Sequence, residues 1–391
     1  MKKKIPFFLC MILFNLAANY AHPVTPTLFK MLQFPASMFG ISFALMSAGM
    51  FISSPFWGKM TGMINSKSAM AIGGIGYGIA QAFFGFGRIP VFIGIARLVA
   101  GLSCGAFFVG ALTYIANMSL EDERGSYLTL NATIQTVAGA IGYFVGGMLG
   151  EISVYLSFVI QVIQLIFTGI LVYFVLDEDL EEHDMTLSEV LKASNPFKAF
   201  IDGRLFMTKS LALLFTLSTL IFLGYTAVDQ SFNYYLKDVF QFTSRYNGMI
   251  KGTVGLVSLI FNMTICIYLM KKTDIRKSNI VILFLGMLSV SVSLVMKSPL
   301  HFIIAIMIFY GFYAIMIPLT QTLITNQAEK KTRNQVLGFY QATKSLGMIL
   351  GAYIAGMIYS INVMNPFILG AVTFALALIL SMIYLRRSIH E

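Results

Sequence analysis

Thr113–Met148 reads TYIANMSLEDERGSYLTLNATIQTVAGAIGYFVGGM, and Thr322–Met357 reads TLITNQAEKKTRNQVLGFYQATKSLGMILGAYIAGM. Set 209 positions apart, the two stretches share Thr113/Thr322, Ile115/Ile324, Asn117/Asn326, Arg124/Arg333, Leu128/Leu337, Gly142/Gly351, Gly147/Gly356 and Met148/Met357. Each runs from the end of one apolar segment through a charged turn into a second. Two apolar segments share Leu or Ile by chance, but an Asn, an Arg and two glycines in one register point to a duplicated unit. A parallel repeat of this kind, with a substrate site at the repeat interface, is a transporter architecture.

Working outward, the 391 residues are 57% hydrophobic and only 11% charged. A soluble domain has about 25% charged and about 45–50% apolar residues, so the composition describes an integral membrane protein. A helix needs ~20 apolar residues to cross the hydrocarbon core. Runs of that length are expected as spans at 5–30, 37–57, 69–87, 90–117, 127–150 and 153–176, then at 209–235, 246–270, 278–296, 301–325, 335–360 and 363–385. Twelve such crossings leave no room for a soluble enzyme domain. An outer-membrane barrel, with its ~10-residue alternating strands, gives a much weaker hydropathy signal. The expected fold is all-α: twelve transmembrane helices in two six-helix bundles related by a pseudo-two-fold, at 1–176 and 209–391, joined by a cytoplasmic central loop at 177–208.

The net charge of +10 reports topology here and not a nucleic-acid face. With both termini inside, cytoplasmic segments hold 19 of the 27 Lys and Arg, including Lys2–Lys4, Lys67, Lys271, Lys272, Arg276, Lys277, Lys330, Lys331 and Arg333. This asymmetry is the positive-inside pattern of a cytoplasmic membrane protein. Lys2–Lys4 followed by the apolar run Ile5–Ala17 imitates a secretory signal, and is read as a retained first helix because cleavage would upset the charge balance. Cys10, Cys104 and Cys266 all fall in spans without metal-ligand spacing, so no metal and no cofactor is expected. The acidic stretch containing Glu178, Asp179, Glu181, Glu182 and Asp184 reads as a solvated linker. Thr186 or Ser188 then caps a short amphipathic segment with Leu187, Val190 and Leu191 toward one side.

Arg97-Leu-Val-Ala-Gly101, Arg124-Gly125 and Gly142-Tyr-Phe-Val-Gly146-Gly147 carry a family resemblance. Together they resemble the motifs of the major facilitator superfamily, in particular its twelve-span drug:proton antiporters of the bacterial quinolone and multidrug exporter type. Tyr143 stands where the antiporter motif has Pro. The loop between the second and third spans keeps its first glycine, Gly58, but has Gly62 where the family has Asp. That departure puts the intracellular charge latch in doubt, and Asp274, in the equivalent loop of the second half, is the candidate to supply part of it. The resemblance implies conformational roles for Gly58, Arg124, Gly142, Gly146, Gly147, Asp274 and Arg333, and a role in proton coupling for Arg97.

Of 17 carboxylates only Asp229 lies well inside an expected span. An ionised side chain at that depth costs several kcal/mol unless paired or wet, so Asp229 is the first candidate for a proton carrier. Arg97 is either a second participant or a structural brace, with five donors and no ability to lose its charge. In the first span Asn15, Asn19, His22 and Pro26 are spaced as one helical face, and His22 is the side chain that titrates nearest neutral pH. Gln135, in the fifth span, occupies the position that corresponds to Lys344 in the eleventh. If Lys344 pairs with Asp229, the attraction favours the ionised acid and opposes proton carrying; if it stands apart, it offers a cation to an anionic or zwitterionic ligand. Tyr225, Tyr310, Tyr313 and Met316 are expected to line the site alongside Asn15, Asn19, Gln135 and Lys344, since Met and aromatic faces adapt to several amphipathic ligands.

The expected function is proton-coupled efflux of small amphipathic compounds by alternating access. The partners are a small-molecule substrate, protons and the lipid bilayer, without nucleic acid, and the protein is a monomer. Proton-coupled uptake of a sugar or organic anion and a non-transporting membrane sensor are the alternatives. An enzyme is not expected: no nucleophile–base pair, phosphate loop or metal cluster is visible.

Overall fold

Local signals set where the apolar segments start and stop as helices. A computed structural model describes residues 4–179, 186–329 and 332–390. Lys2, Lys3, Glu181, Glu182, Asp184, Lys330 and Lys331 lie outside the described residues, as does the side chain of Arg333. In chain order the helices are α1 (Lys4–Ala18), α2 (Thr25–Met31), α3 (Met38–Ile64), α4 (Ser66–Phe86), α5 (Pro90–Met118), α6 (Glu121–Ile152) and α7 (Val154–Val175). Two short helices follow, α8 (Leu187–Ala193) and α9 (Lys198–Asp202), and then α10 (Lys209–Asp238) and α11 (Ser244–Phe261). A π turn at Asn262–Cys266 carries α11 into α12 (Ile267–Lys272), followed by α13 (Ile275–Val295), α14 (Pro299–Asn326), α15 (Arg333–Tyr359) and α16 (Asn365–His390). No strand occurs among the described residues. Among the described residues ten helical stretches are long and apolar enough to cross a membrane, and α1 is a shorter apolar helix.

The starts follow from residue chemistry. Pro90 and Pro299 open α5 and α14, where the missing N–H has no intrahelical partner to lose. Thr208 Oγ1 accepts from the Leu211 N–H at 3.1 Å to cap α10, and Asn65, at φ 63°, caps α4 by accepting from Ser68 N–H at 2.9 Å.

The first span departs from the expected continuous helix at 5–30: residues 19–24 form turns between α1 and α2. Pro23 and Pro26 lack an N–H and crowd the carbonyls of Asn19 and His22 four residues earlier, so the helix cannot run through. The expected single face of Asn15, Asn19, His22 and Pro26 is therefore interrupted after Asn19.

The linker also departs from the solvated reading. Asp179 Oδ1 accepts from the Ser66 N–H at 2.8 Å and its Oδ2 from Asn117 Nδ2 at 3.0 Å, while Lys67 Nζ lies 3.2 Å from Glu178 Oε1. The orphan N–H groups and positive end of α4 draw these carboxylates in. Thr186 caps α8 through a capping box with Glu189, but only Val190 is buried, while Leu187 and Leu191 are exposed.

The described chain forms two units. One comprises Met1–Phe34, Leu45–Pro196 and Gln241–Gly252, the other Pro35–Ala44, Phe197–Phe240 and Thr253–Glu391. In the first, α4 packs between α5 and α7, and α1 packs on α6 and α7, around a core in which Phe14 stacks on Phe107 with centroids 3.4 Å apart. In the second, α10 packs on α15 and α16, and α13 on α14 and α16.

Candidate functional site

Asp229 sits in the last third of α10, 8% exposed. Its Oδ1 accepts from Tyr310 Oη at 2.7 Å, and its Oδ2 from Gln230 Nε2 at 2.9 Å. Tyr310 comes from α14 and is held in an aromatic cluster. Tyr225 stacks flat on Tyr313 at 3.6 Å and 4° and meets Tyr310 edge-on at 6.1 Å. Tyr225, Tyr310 and Tyr313, three of the eight residues expected to line the site, thus gather around the acid. Met316 is fully buried and its Cε fills the space over Gly286 of α13, where its flexible thioether serves packing.

Lys344 stands apart from Asp229. Its Nζ lies 5.2 Å from the centroid of the Phe222 ring, and among the described residues no carboxylate forms an ion pair with it. The pairing of Lys344 with Asp229, one of the two alternatives left open by the sequence, is therefore not formed among the described residues.

In the other unit, Arg97 of α5 is 5% exposed. Its Nη1 donates to Gln81 Oε1 at 3.2 Å and its guanidinium lies 4.7 Å from the Phe84 centroid. Gln81 Nε2 donates to Gln161 Oε1 at 2.9 Å, and Gln161 Nε2 donates to Ala17 O at 2.8 Å. The chain of amides therefore links α5, α4 and α7 to the last carbonyls of α1, next to the break in the first span. Gln81 and Gln161 were not singled out in the sequence; a glutamine inside an apolar helix was the available signal, because a buried amide needs partners.

Asn15 and Asn19 turn their amides back along α1, Nδ2 donating to Met11 O and Asn15 O at 2.8 Å each. His22 stacks on Tyr143 at 5.3 Å and 22°, and Lys251 Nζ lies 5.7 Å from the same ring. Lys251 was not singled out in the sequence, and it is 5% exposed. Ser244, Asn247, Gly248 and Lys251 are spaced as one face of α11, and that periodicity was the signal for it. Gln135 is partly buried on α6.

The glycines of α6 allow close approach. A Cβ on Gly142 would strike Leu16 O, and one on Gly146 would strike Tyr20 O. A Cβ on Gly147 would lie 2.6 Å from Ser244 O and 2.8 Å from Gly248 Cα. The repeat partners do the same in the second unit: Gly351 meets Leu223 O, and a Cβ on Gly356 would lie 2.7 Å from Ser37 O and 3.0 Å from Gly40 Cα. Gly58 is different, with Val109 Cγ1 at 4.0 Å as the nearest neighbour to its missing Cβ.

At the helix ends, Arg124 Nη2 donates to Ala116 O at 3.0 Å and so caps α5. Asp274 caps α13, its Oδ1 accepting from Arg276 N–H at 2.9 Å and its Oδ2 from Arg276 Nη2 at 3.0 Å. Arg276 Nη1 also donates to Ser388 O at 3.3 Å. The Arg276 guanidinium holds the Asp274 carboxyl below its usual range, and Lys4, at 2.7 Å, does the same for Glu123. Arg333 opens α15.

The family model described as Major Facilitator Superfamily matches residues 7–317 and 273–391. Multidrug resistance protein 2 of Bacillus subtilis (strain 168) is 22% identical over 364 residues, covering 93% of this chain and 90% of that protein. Quinolone resistance protein NorA of Staphylococcus aureus (strain MSSA476) is 20% identical over 353 residues, covering 88% and 86%. Among solved structures, a mutant of the nucleoside transporter NupG superposes with a TM-score of 0.79 at 13% identity, covering 98% of this chain and 99% of that one. That likeness concerns the fold alone.

Proposed function

Since this chain belongs to the major facilitator superfamily, we propose that it exports small amphipathic compounds across the cytoplasmic membrane in exchange for protons, by alternating access, as a monomer with both termini inside. The observation that carries the reading is Asp229: a carboxyl buried in a membrane-spanning helix, met by the Tyr310 hydroxyl at 2.7 Å and not paired with Lys344. An acid there is costly to keep ionised, and one hydroxyl can follow it through both protonation states, donating to the carboxylate and accepting from the acid. Protonation from outside and release inside drive substrate the other way. The export direction is supported by the names of the Bacillus and Staphylococcus relatives, a multidrug resistance and a quinolone resistance protein.

Arg97 acts as a brace of its unit: its Nη1 donates to the Gln81 amide oxygen, and the relay beyond it ends on helix carbonyls. Gly142, Gly146 and Gly147 let helices approach closely, which alternating access requires of surfaces that part and re-form. A second reading, uptake by proton symport, draws on Tyr143 in place of the antiporter proline. Inside-out vesicles separate the two: an antiporter accumulates a fluorescent amphiphile when the lumen is acidified, and a symporter does not.

A further inference from the structure

Lys344 is the one Lys or Arg of α15 beyond Arg333, and its ammonium rests on the face of Phe222 at 5.2 Å with no carboxylate among the described residues to neutralise it. An ammonium is a compact, strongly hydrated point charge, and one held within a membrane-spanning bundle without a counter-ion is retained where a ligand or water completes it. Its surroundings are aromatic: Phe222 meets Tyr313 at 6.4 Å and 88°, and Tyr340, one turn before Lys344, at 6.3 Å and 61°.

Phe222, Thr226 and Asp229 follow one another at spacings of 4 and 3 on one face of α10. Asp229 lies seven residues beyond Phe222, about 10 Å along the helix axis, and no ion pair joins it to the ammonium. Between them the Thr226 Oγ1 is buried without a hydrogen-bond partner among the described residues.

We infer that Lys344 is an anion-binding position, and that the compounds this protein takes are aromatic amphiphiles carrying a carboxylate, their anionic end on the Lys344 ammonium and their ring system against Phe222 and Tyr340. A charge-assisted bond from ammonium to carboxylate is the interaction that an ester of the same molecule cannot make. The inference refines the substrate class of the exporter reading, but binding alone tests it.

The full chain in nanodiscs is titrated with a zwitterionic fluoroquinolone, norfloxacin, and with its methyl ester, following ligand fluorescence. The expected result is at least tenfold tighter binding of the acid, a preference abolished in Lys344→Gln and kept in Lys344→Arg. Equal affinity for acid and ester, binding of neither, or an acid preference that survives Lys344→Gln overturns the assignment. An acid preference lost in Lys344→Gln, in a protein that shows no proton-driven export, supports the assignment while removing the exporter reading.

Discussion

Tyr310 Oη donates to Asp229 Oδ1 at 2.7 Å, joining two residues 81 positions apart. A hydrogen bond to a charged group is worth about 1.5–3 kcal/mol. Tyr310→Phe is therefore expected to slow proton-driven transport about tenfold or more while the protein still inserts. In a double-mutant cycle the same change made in Asp229→Asn should have no further effect on transport, because the exchangeable proton that Tyr310 serves is gone.

The Arg97–Gln81–Gln161 relay predicts a stability phenotype. Gln161→Leu takes the acceptor from the Gln81 amide and one of the donors from the Ala17 carbonyl, which keeps the Tyr20 N–H, at about 1–3 kcal/mol for a buried polar group. Arg97→Lys keeps the charge but loses the planar fork. Both variants should unfold at lower temperature than the parent, and together by less than the sum of the two, as measured by thermal unfolding of the purified protein.

Glycine positions in the motifs are expected to behave oppositely. Gly142→Ala drives a methyl into Leu16 O, and overpacking costs typically about 1–3 kcal/mol. Gly58→Ala adds a methyl whose nearest neighbour is 4.0 Å away, and gains up to about 1 kcal/mol of helix propensity. Thermal midpoints should fall for the first and stay or rise for the second.

Much of this was legible in the sequence, for identifiable reasons. Span ends were readable because a lipid-crossing helix is a long uninterrupted apolar run, so α5 begins at Pro90 and α10 at Lys209 as expected. The break after Ala18 was not drawn, although Pro23 and Pro26 announce it, because hydropathy does not register a missing N–H. Asp229 and Tyr310 were both singled out, yet their bond was not, since nothing local couples residues on separate helices. Gln81, Gln161 and Lys251 escaped notice because each is a single polar residue in an apolar or terminal stretch, and only packing shows which of these is enclosed. The packing of Met316 was not legible for the converse reason: the same side chain suits a ligand pocket or the gap over Gly286.

Acid should weaken the contact at Asp274. Its carboxyl is held below its usual value of 3.8 chiefly by the hydrogen bond from Arg276, so it ionises more readily folded than unfolded. The stabilisation is thus present above that usual value and is lost as pH falls through the lower folded one. Asp274→Asn keeps the α13 cap but not the charge. Its thermal midpoint should lie below that of the parent at neutral pH, with the difference shrinking as pH approaches 3.

Asp229→Asn, reconstituted in proteoliposomes beside the parent, puts the proton carrier itself to the test. Amide for carboxyl keeps the size and an acceptor for Tyr310 but cannot exchange a proton. With an imposed pH gradient, the parent should drive uptake or release of a fluorescent amphiphile, and the variant should bind the same compound but show no gradient-driven movement. Gradient-driven transport at the parental rate in Asp229→Asn would contradict the assignment.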